Sequence, residues 1–322
     1  MIEVRELTKW YGPTLAVDHV DFDVAKGEVL GFLGPNGAGK TTTMRILTCY
    51  IPADSGTARV DGFDIAEQSV EVRRRIGYLP ESAPLYLDQG VVEFLEFIAM
   101  ARGFSGPELN RRVRTAIDTC GLGDVLHKMI GELSKGFRQR VGVAQTLIHD
   151  PQVLILDEPT TGLDPSQIIE IRDLIRNLGR EKTVILSTHI LPEVEATCSR
   201  VQIIHRGALV ASGTPDELAT KARGEAHVWV TLKAAPREAE EGLRTLDGVS
   251  AIHLQSELPD RVRYSISTSG ADDLEERIYG LAVQRGWTLT ELNRESVSLE
   301  EIFLRLTTQE TSIGTGEAVP AP

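Results

Sequence analysis

The stretch Gly34-Pro35-Asn36-Gly37-Ala38-Gly39-Lys40-Thr41 fills every fixed position of the phosphate-binding pattern G-x-x-x-x-G-K-[ST]. It constrains the fold because the pattern works only between a strand and a helix. The apolar run Val29-Leu30-Gly31-Phe32-Leu33 before it is short enough for a buried strand, and Thr42-Thr43-Met44-Arg45-Ile46-Leu47 after it begins a helical pattern. Its glycines let the backbone curl until N–H groups point at phosphate oxygens, beside the positive end of the following helix. Lys40 is suited to neutralise β- and γ-phosphates, and the Thr41 hydroxyl to bind Mg²⁺, a hard cation that prefers oxygen. The alternative is a chance Gly-rich turn, and the flanking pattern weighs against it.

A chain of 322 residues with 41% apolar content predicts two domains, or a large one with an appendage, with ordinary cores. The formal charge of −13 argues against a nucleic-acid or anionic-membrane surface. Cys49, Cys120 and Cys198 are widely spaced and form no C-x-x-C pair, so neither a disulfide framework nor a zinc site is expected, and a reducing compartment fits. The start of the chain lacks an apolar signal core, and no run reaches the roughly 18 apolar residues that span a bilayer. A soluble, cytoplasmic chain is the expectation.

Residues 2–29 read as strands broken by a turn that holds Trp10, Tyr11 and Gly12. An aromatic there either stacks on a base or covers the sheet edge, and spacing leaves both open. Met44, Leu47 and Ile51 predict one helix face, stopped by Pro52, and Asp54-Ser55-Gly56 a turn. Strands over 57–60 and 76–79 flank a polar helix over 67–75, and Pro80 and Pro84 bracket Glu81 in a connection. Apolar spacing at Val91, Leu95, Ile98 and Ala99, with a helical pattern over 108–120, predicts an α-rich insertion spanning about residues 85–150.

Val153-Leu154-Ile155-Leu156 is the clearest buried strand and runs into Asp157-Glu158. Ligands of open α/β sheets bind beyond the carboxyl ends of strands, so both carboxylates are expected to converge with the phosphate loop. Ser166 is expected to cap a helix over 167–178, and a strand over 183–187 leads to Thr188-His189. Alternating strands and helices predict an α/β fold with a mostly parallel sheet, and residues 201–211 a hairpin across Arg206-Gly207. After a composition change at 221–225 the pattern reads β-α-β-β-α-β, with a last helix over 299–306, which predicts a small α+β domain of the ferredoxin-like kind. The expected domains are therefore residues 1–222 and 223–309, followed by a disordered tail over 310–322.

With Leu133-Ser134-Lys135-Gly136 upstream of the Asp157-Glu158 strand and His189 ending the next, residues 1–220 resemble the ATP-binding subunit of an ABC transporter. The matching set comprises the phosphate loop, the signature loop, the acidic strand, Gly162-Leu163-Asp164 and the switch histidine. Within that family the chain is most similar to the stand-alone ATPases of drug, polysaccharide or gliding-motility exporters. The resemblance implies a P-loop NTPase core with an antiparallel β-subdomain and a helical insertion, binding ATP and Mg²⁺.

It also implies roles for particular residues. Gly34, Pro35, Asn36, Gly37, Ala38, Gly39, Lys40, Thr41 and Thr42 would hold the phosphates, and Tyr11 would stack on adenine. Thr41, Asp157 and Glu81 would surround the metal. Glu158 would polarise the attacking water, with His189 and Lys40 at the γ-phosphate. Ser134 and Gly136 would reach ATP on an opposite subunit, so hydrolysis would need a head-to-tail homodimer or heterodimer. The implied partner is a separate transmembrane permease, at the cytoplasmic face of the cell membrane, with no nucleic acid.

Three positions depart from the family pattern: Glu81 stands where glutamine is usual, and Lys135 and Phe137 replace a glycine and a glutamine. Lys135 either favours the neighbouring nucleotide's charge or is simply solvated. The competing function is a soluble ABC-type ATPase acting on ribosomes or DNA repair; a single cassette without sustained heptads weighs against it. A P-loop kinase or GTPase leaves Ser134-x-Gly136 and His189 without a purpose.

Overall fold

The computed structural model describes residues 1–222, 226–258, 260–268 and 273–295. They fall into two compact units that divide between Pro215 and Asp216. The helix expected over 299–306 and the tail over 310–322 lie outside the described residues.

The first unit opens with long antiparallel strands, β1 (Ile2–Tyr11) and β2 (Thr14–Val24), which with β4 (Ser55–Val60) and β5 (Phe63–Asp64) make a sheet of order β2-β1-β4-β5. Between them lie β3 (Val29–Leu33) and helix α1 (Lys40–Leu47). There follow α2 (Ser69–Arg75), β6 (Ile76–Leu79), and the insertion helices α3 (Val91–Ala101), α4 (Gly106–Cys120) and α5 (Lys135–Leu147). The chain returns through β7 (Val153–Asp157), α6 (Pro165–Leu178), β8 (Thr183–Thr188), α7 (Leu191–Thr197), β9 (Arg200–His205) and β10 (Ala208–Gly213). Strands β3 and β6 to β10 form a six-stranded sheet of order β10-β9-β3-β8-β7-β6, parallel except for the β9–β10 hairpin.

The continuous apolar runs are explained by their position in this sheet. β3, β7 and β8 are buried at every residue, as strands covered on both faces must be. The antiparallel sheet alternates instead, and its inward residues Ile2, Val4, Val20 and Phe22 join Phe32, Met44, Ile46 and Ile155 in one core. Phe22 and Phe32 meet at 5.2 Å between ring centroids. Fully burying a side chain of this size contributes about 1.5–3 kcal/mol. That shared core fixes both sheets around α1.

Local boundaries differ from expectation in four places. Trp10 and Tyr11 end β1 rather than sit in the turn, because their backbones pair with Leu15 and Thr14, leaving Gly12-Pro13 to reverse the chain. Helix α1 stops at Leu47 and excludes Ile51: Thr48 Oγ1 donates to the Met44 carbonyl (2.9 Å), and Cys49 adopts φ +56°. Ser55 and Gly56 belong to β4 because β1 pairs with that segment, Thr8 standing opposite Ser55. Asp164, not Ser166, caps α6: its carboxylate accepts from Gln167 N (2.9 Å), while Ser166 Oγ donates to the same oxygen (2.6 Å).

The second unit opens in α8 (Pro215–Ala222) and continues through β11 (Ala226–Lys233), α9 (Pro236–Arg244), β12 (Val249–Leu258), β13 (Arg261–Thr268), α10 (Leu274–Arg285) and β14 (Thr288–Glu295). Its antiparallel sheet has the order β12-β13-β11-β14, the ferredoxin-like arrangement. Val228, Val230, Leu232, Tyr264 and Ile266 pack on Leu243 and Ile278 of the helices.

Candidate nucleotide site

The phosphate loop runs from β3 into α1, where the N–H groups of the first helical turn have no intrahelical partner. Tertiary bonds hold its shape: Gly34 N donates to Thr188 O (3.3 Å) and Gly207 N donates to Ala38 O (2.9 Å). Gly39 has φ +108°, and a Cβ there would lie 2.5 Å from the Ala16 carbonyl oxygen. No side chain fits at that position without moving β2 or the loop.

Lys40, only 5% exposed, reaches across the loop, donating to Gly34 O (2.7 Å) and Pro35 O (3.2 Å). Its ammonium also stands 3.2 Å from Glu158 Oε1. Thr41 Oγ1 donates to Asp157 Oδ1 (3.2 Å), as does Ser187 Oγ. The other Asp157 oxygen is buried without a hydrogen-bond partner in the protein. Burial raises the Asp157 carboxyl above its ordinary range, and the nearby Glu158 carboxylate adds to this against the hydroxyls of Ser187 and Thr41. A partnerless buried oxygen beside a threonine hydroxyl fits a hard divalent cation.

Glu158 is the first residue after β7. It adopts φ +49°, a left-handed conformation that costs a non-glycine residue about 1–3 kcal/mol, and such outliers gather at functional sites. Its N–H donates to Ser187 O and Ser187 Oγ, both at 3.1 Å, and its carbonyl accepts from Thr161 N (3.2 Å). Its carboxylate accepts at Oε2 from His189 Nδ1 (2.9 Å) and Thr161 Oγ1 (3.2 Å).

Pro35, Asn36, Gly37, Ala38, Gly39, Lys40, Thr41, Thr42, Glu81, Glu158 and His189 thus line one cavity of about 400 Å³. Gly34 and Asp157 lie directly behind its wall through their bonds to Lys40 and Thr41. Among the described residues, Lys40 is the only Lys or Arg lining it, against two carboxylates. A polyphosphate entering such a site needs the loop's N–H groups and a further cation to balance its charge.

Three expected residues stand apart from this cavity. Tyr11 is 47% exposed at the end of β1, its ring 6.0 Å from Lys9 Nζ. Ser134 is exposed as the N-cap of α5, accepting at Oγ from Phe137 N (3.3 Å), and Gly136 packs against Gln167. Ala16 and Thr161 line the cavity without having been expected, and Ser187 is the missed partner of Asp157. Thr161 stood three residues beyond Glu158, the reach of a turn; Ala16 had no signal of its own.

Comparison with known proteins decides the family. A family model described as "ABC transporter" matches residues 17–161, and one described as "AAA domain, putative AbiEii toxin, Type IV TA system" matches residues 129–194. The daunorubicin/doxorubicin resistance ATP-binding protein DrrA of Streptomyces peucetius is 36% identical over 95% of this chain and 92% of its own length. The chain belongs to the ATP-binding proteins of ABC transporters. The nucleotide of this cassette is ATP, and the reaction of its family is hydrolysis to ADP and phosphate. The probable multidrug ABC transporter ATP-binding protein YbhF of Escherichia coli is 37% identical over 73% of the chain, which spans only 41% of that protein's length. A solved ATP-binding subunit of an ABC transporter superposes with a TM-score of 0.62 at 31% identity, covering 69% of this chain and 93% of that one.

The raised Asp157 carboxyl has a consequence for stability. Between its unfolded and folded titrations the native cassette holds a proton that the unfolded chain has released, so this group's contribution falls as pH rises. Above that window the buried charge is a constant penalty. Asp157→Asn is therefore expected to raise Tm at pH 7, without nucleotide or metal, by on the order of a few degrees. Scanning calorimetry checks this, and a lowered Tm contradicts it.

Proposed function

We propose that this chain is the ATP-hydrolysing subunit that closes as a dimer on ATP and powers export through a separate membrane permease. The observation that carries the proposal is the divided site: the cavity gathers the phosphate loop, Glu158 and His189, whereas Ser134 and Gly136 stand outside it, at the N-cap and in the first turn of α5. A second copy, presenting Ser134 and Gly136 to the open side of the cavity, would complete the cage around the γ-phosphate. ATP then contacts both partners only in the closed state, and this differential binding shifts the population towards closure.

In this reading the loop N–H groups and Lys40 bind the triphosphate. Thr41, Asp157 and Glu81 hold Mg²⁺, which when bound neutralises phosphate charge. Glu158 accepts the proton of the attacking water, and His189 orients Glu158 and meets the γ-phosphate. Tyr11 supplies a ring face for adenine. Loss of the γ-phosphate removes the bridge and reopens the dimer.

Docking to a permease is supported by the apolar surface of the insertion. Tyr86, Leu87, Phe97 and Met100 are 49%, 55%, 40% and 57% exposed, and the Tyr86 ring meets that of Phe97 at 5.7 Å. Beside them is a 510 Å³ groove lined by Pro80, Ser82 and Pro84 around Glu81, together with Ile98 and Arg102. Movement of the Glu81 segment would thereby reach both the cavity and the docked partner. A drug-like cargo is supported by relatives named for multidrug transport and for daunorubicin/doxorubicin resistance, and the outward direction and the place at the cytoplasmic membrane face belong to the same proposal. Among the described residues, no helix is long and apolar enough to cross a membrane.

The test is light scattering of Glu158→Gln with ATP, alone and combined with Ser134→Arg, alongside co-purification from membranes expressing candidate permeases. The reading expects doubled mass with ATP, a monomer when Ser134→Arg is added, and a polytopic membrane protein in the purified complex. Purification solely with soluble assemblies would count against it.

A further inference from the structure

One buried carboxylate near the site has no role in the reading above. Glu193, in the first turn of α7, is 1% exposed and does not line the ATP cavity. Its Oε1 accepts from Thr160 Oγ1 (2.5 Å) and its Oε2 accepts from Thr188 Oγ1 (2.8 Å). Both threonines are themselves buried, at 2% and 0% exposure. Among the described residues no Lys, Arg or His forms an ion pair with Glu193. Burying a carboxylate on hydroxyls alone is costly, and an apolar residue of similar size would burden the fold less. The position of its two partners points to what it does.

Thr160 follows Glu158 across Pro159, and Thr188 immediately precedes His189. The carboxylate therefore fastens the segment after β7 to the end of β8, the two segments whose side chains meet as His189 Nδ1 and Glu158 Oε2 (2.9 Å). Thr188 extends the connection, since its carbonyl accepts from Gly34 N at the start of the phosphate loop. Its hydroxyl also accepts from Ile190 N (3.0 Å), which fixes the chain on the far side of His189. One side chain outside the cavity thus joins two segments of the wall, and the Thr188 backbone links them to a third. Glu158 needs such support because its left-handed backbone persists only where the surroundings over-determine it.

We infer that Glu193 is a positioning residue for hydrolysis, which sets the separation of Glu158 and His189 without touching ATP. The inference rests on the roles proposed for that pair. Releasing the clamp lets two wall segments drift, and a displacement of about 1 Å at reacting groups lowers rate on the order of a hundredfold. Nucleotide binding depends on the loop N–H groups and Lys40, so it should change far less.

The test compares Glu193→Leu, Glu193→Gln and Glu158→Gln in the full chain. Each is measured for kcat, KM for ATP, and the stoichiometry of a bound fluorescent ATP analogue. Glu193→Leu is expected to lower kcat by about 10- to 100-fold, with KM within about threefold and one analogue bound per chain. Glu193→Gln, which keeps an oxygen acceptor, is expected to recover most of that loss. A Glu193→Leu kcat within about twofold of the parent overturns the inference, as does a kcat loss matched by a proportional loss of binding-competent protein. If Glu158→Gln hydrolyses ATP at the parental rate, the underlying base assignment fails instead. An inactive Glu158→Gln beside a fully active Glu193→Leu removes this inference alone.

Discussion

Glu158→Gln is expected to lower steady-state ATP hydrolysis by about 10²–10⁴-fold, the range of a positioned general base, while leaving ATP binding in place. Glutamine preserves the shape and an oxygen for His189 Nδ1 and Thr161 Oγ1. What it lacks is the basic carboxylate that accepts a proton from water. Binding is spared because the phosphate contacts assigned to the loop and Lys40 are untouched. In the dimer reading the variant accumulates a closed, ATP-bound pair. Single-turnover and steady-state phosphate release, read beside equilibrium nucleotide binding, check both halves of the expectation. Unimpaired turnover would remove Glu158 from the chemistry.

Lys40→Ala is expected to act on the other half of the cycle. A hydrogen bond to a charged group contributes about 1.5–3 kcal/mol, so ATP affinity should fall by roughly 10- to 150-fold. The substitution also leaves the Glu158 carboxylate, whose side chain is only 6% exposed, without the ammonium 3.2 Å away. Breaking a buried pair from one side costs about 3–5 kcal/mol. The nucleotide-free variant should therefore melt below the parent, and Lys40→Ala combined with Glu158→Gln should regain much of that loss. Calorimetric titration of ATP and the melting temperatures of the single and double variants test this. A single variant as stable as the parent would mean that the pair contributes nothing to the fold.

Much of the site was legible because its chemistry is local in sequence. The loop from Gly34 to Thr42 needs its glycines and its Lys-Thr pair side by side, and Asp157 and Glu158 must end an apolar strand. Periodicity likewise located β3, β7, β8 and the β-α-β-β-α-β order of the second unit. The errors fall where long-range contacts outweigh local signals. The sequence places Tyr11 in a turn with Gly12, yet pairing with Thr14 draws it into β1. Ser166 has a capping side chain, but Asp164 is nearer the first free N–H groups and takes the cap. Glu193 offered no signal at all, since one glutamate in an amphipathic helix reads as solvated.

The sequence by itself determined that a phosphate cradle lies between a strand and a helix, and that two carboxylates end a buried strand in a mostly parallel sheet. These follow from residue types at fixed spacing, which steric and hydrogen-bonding rules act on locally. Only the tertiary structure decided the pairing of Lys40 with Glu158 and of Glu158 with His189, and the fastening of their segments by Glu193. It also decided that Ser134 and Gly136 stay outside the cavity of their own chain. Such distances depend on how β3, β7 and β8 stack side by side, and sheet register is set by packing across the whole core rather than by neighbours in the chain.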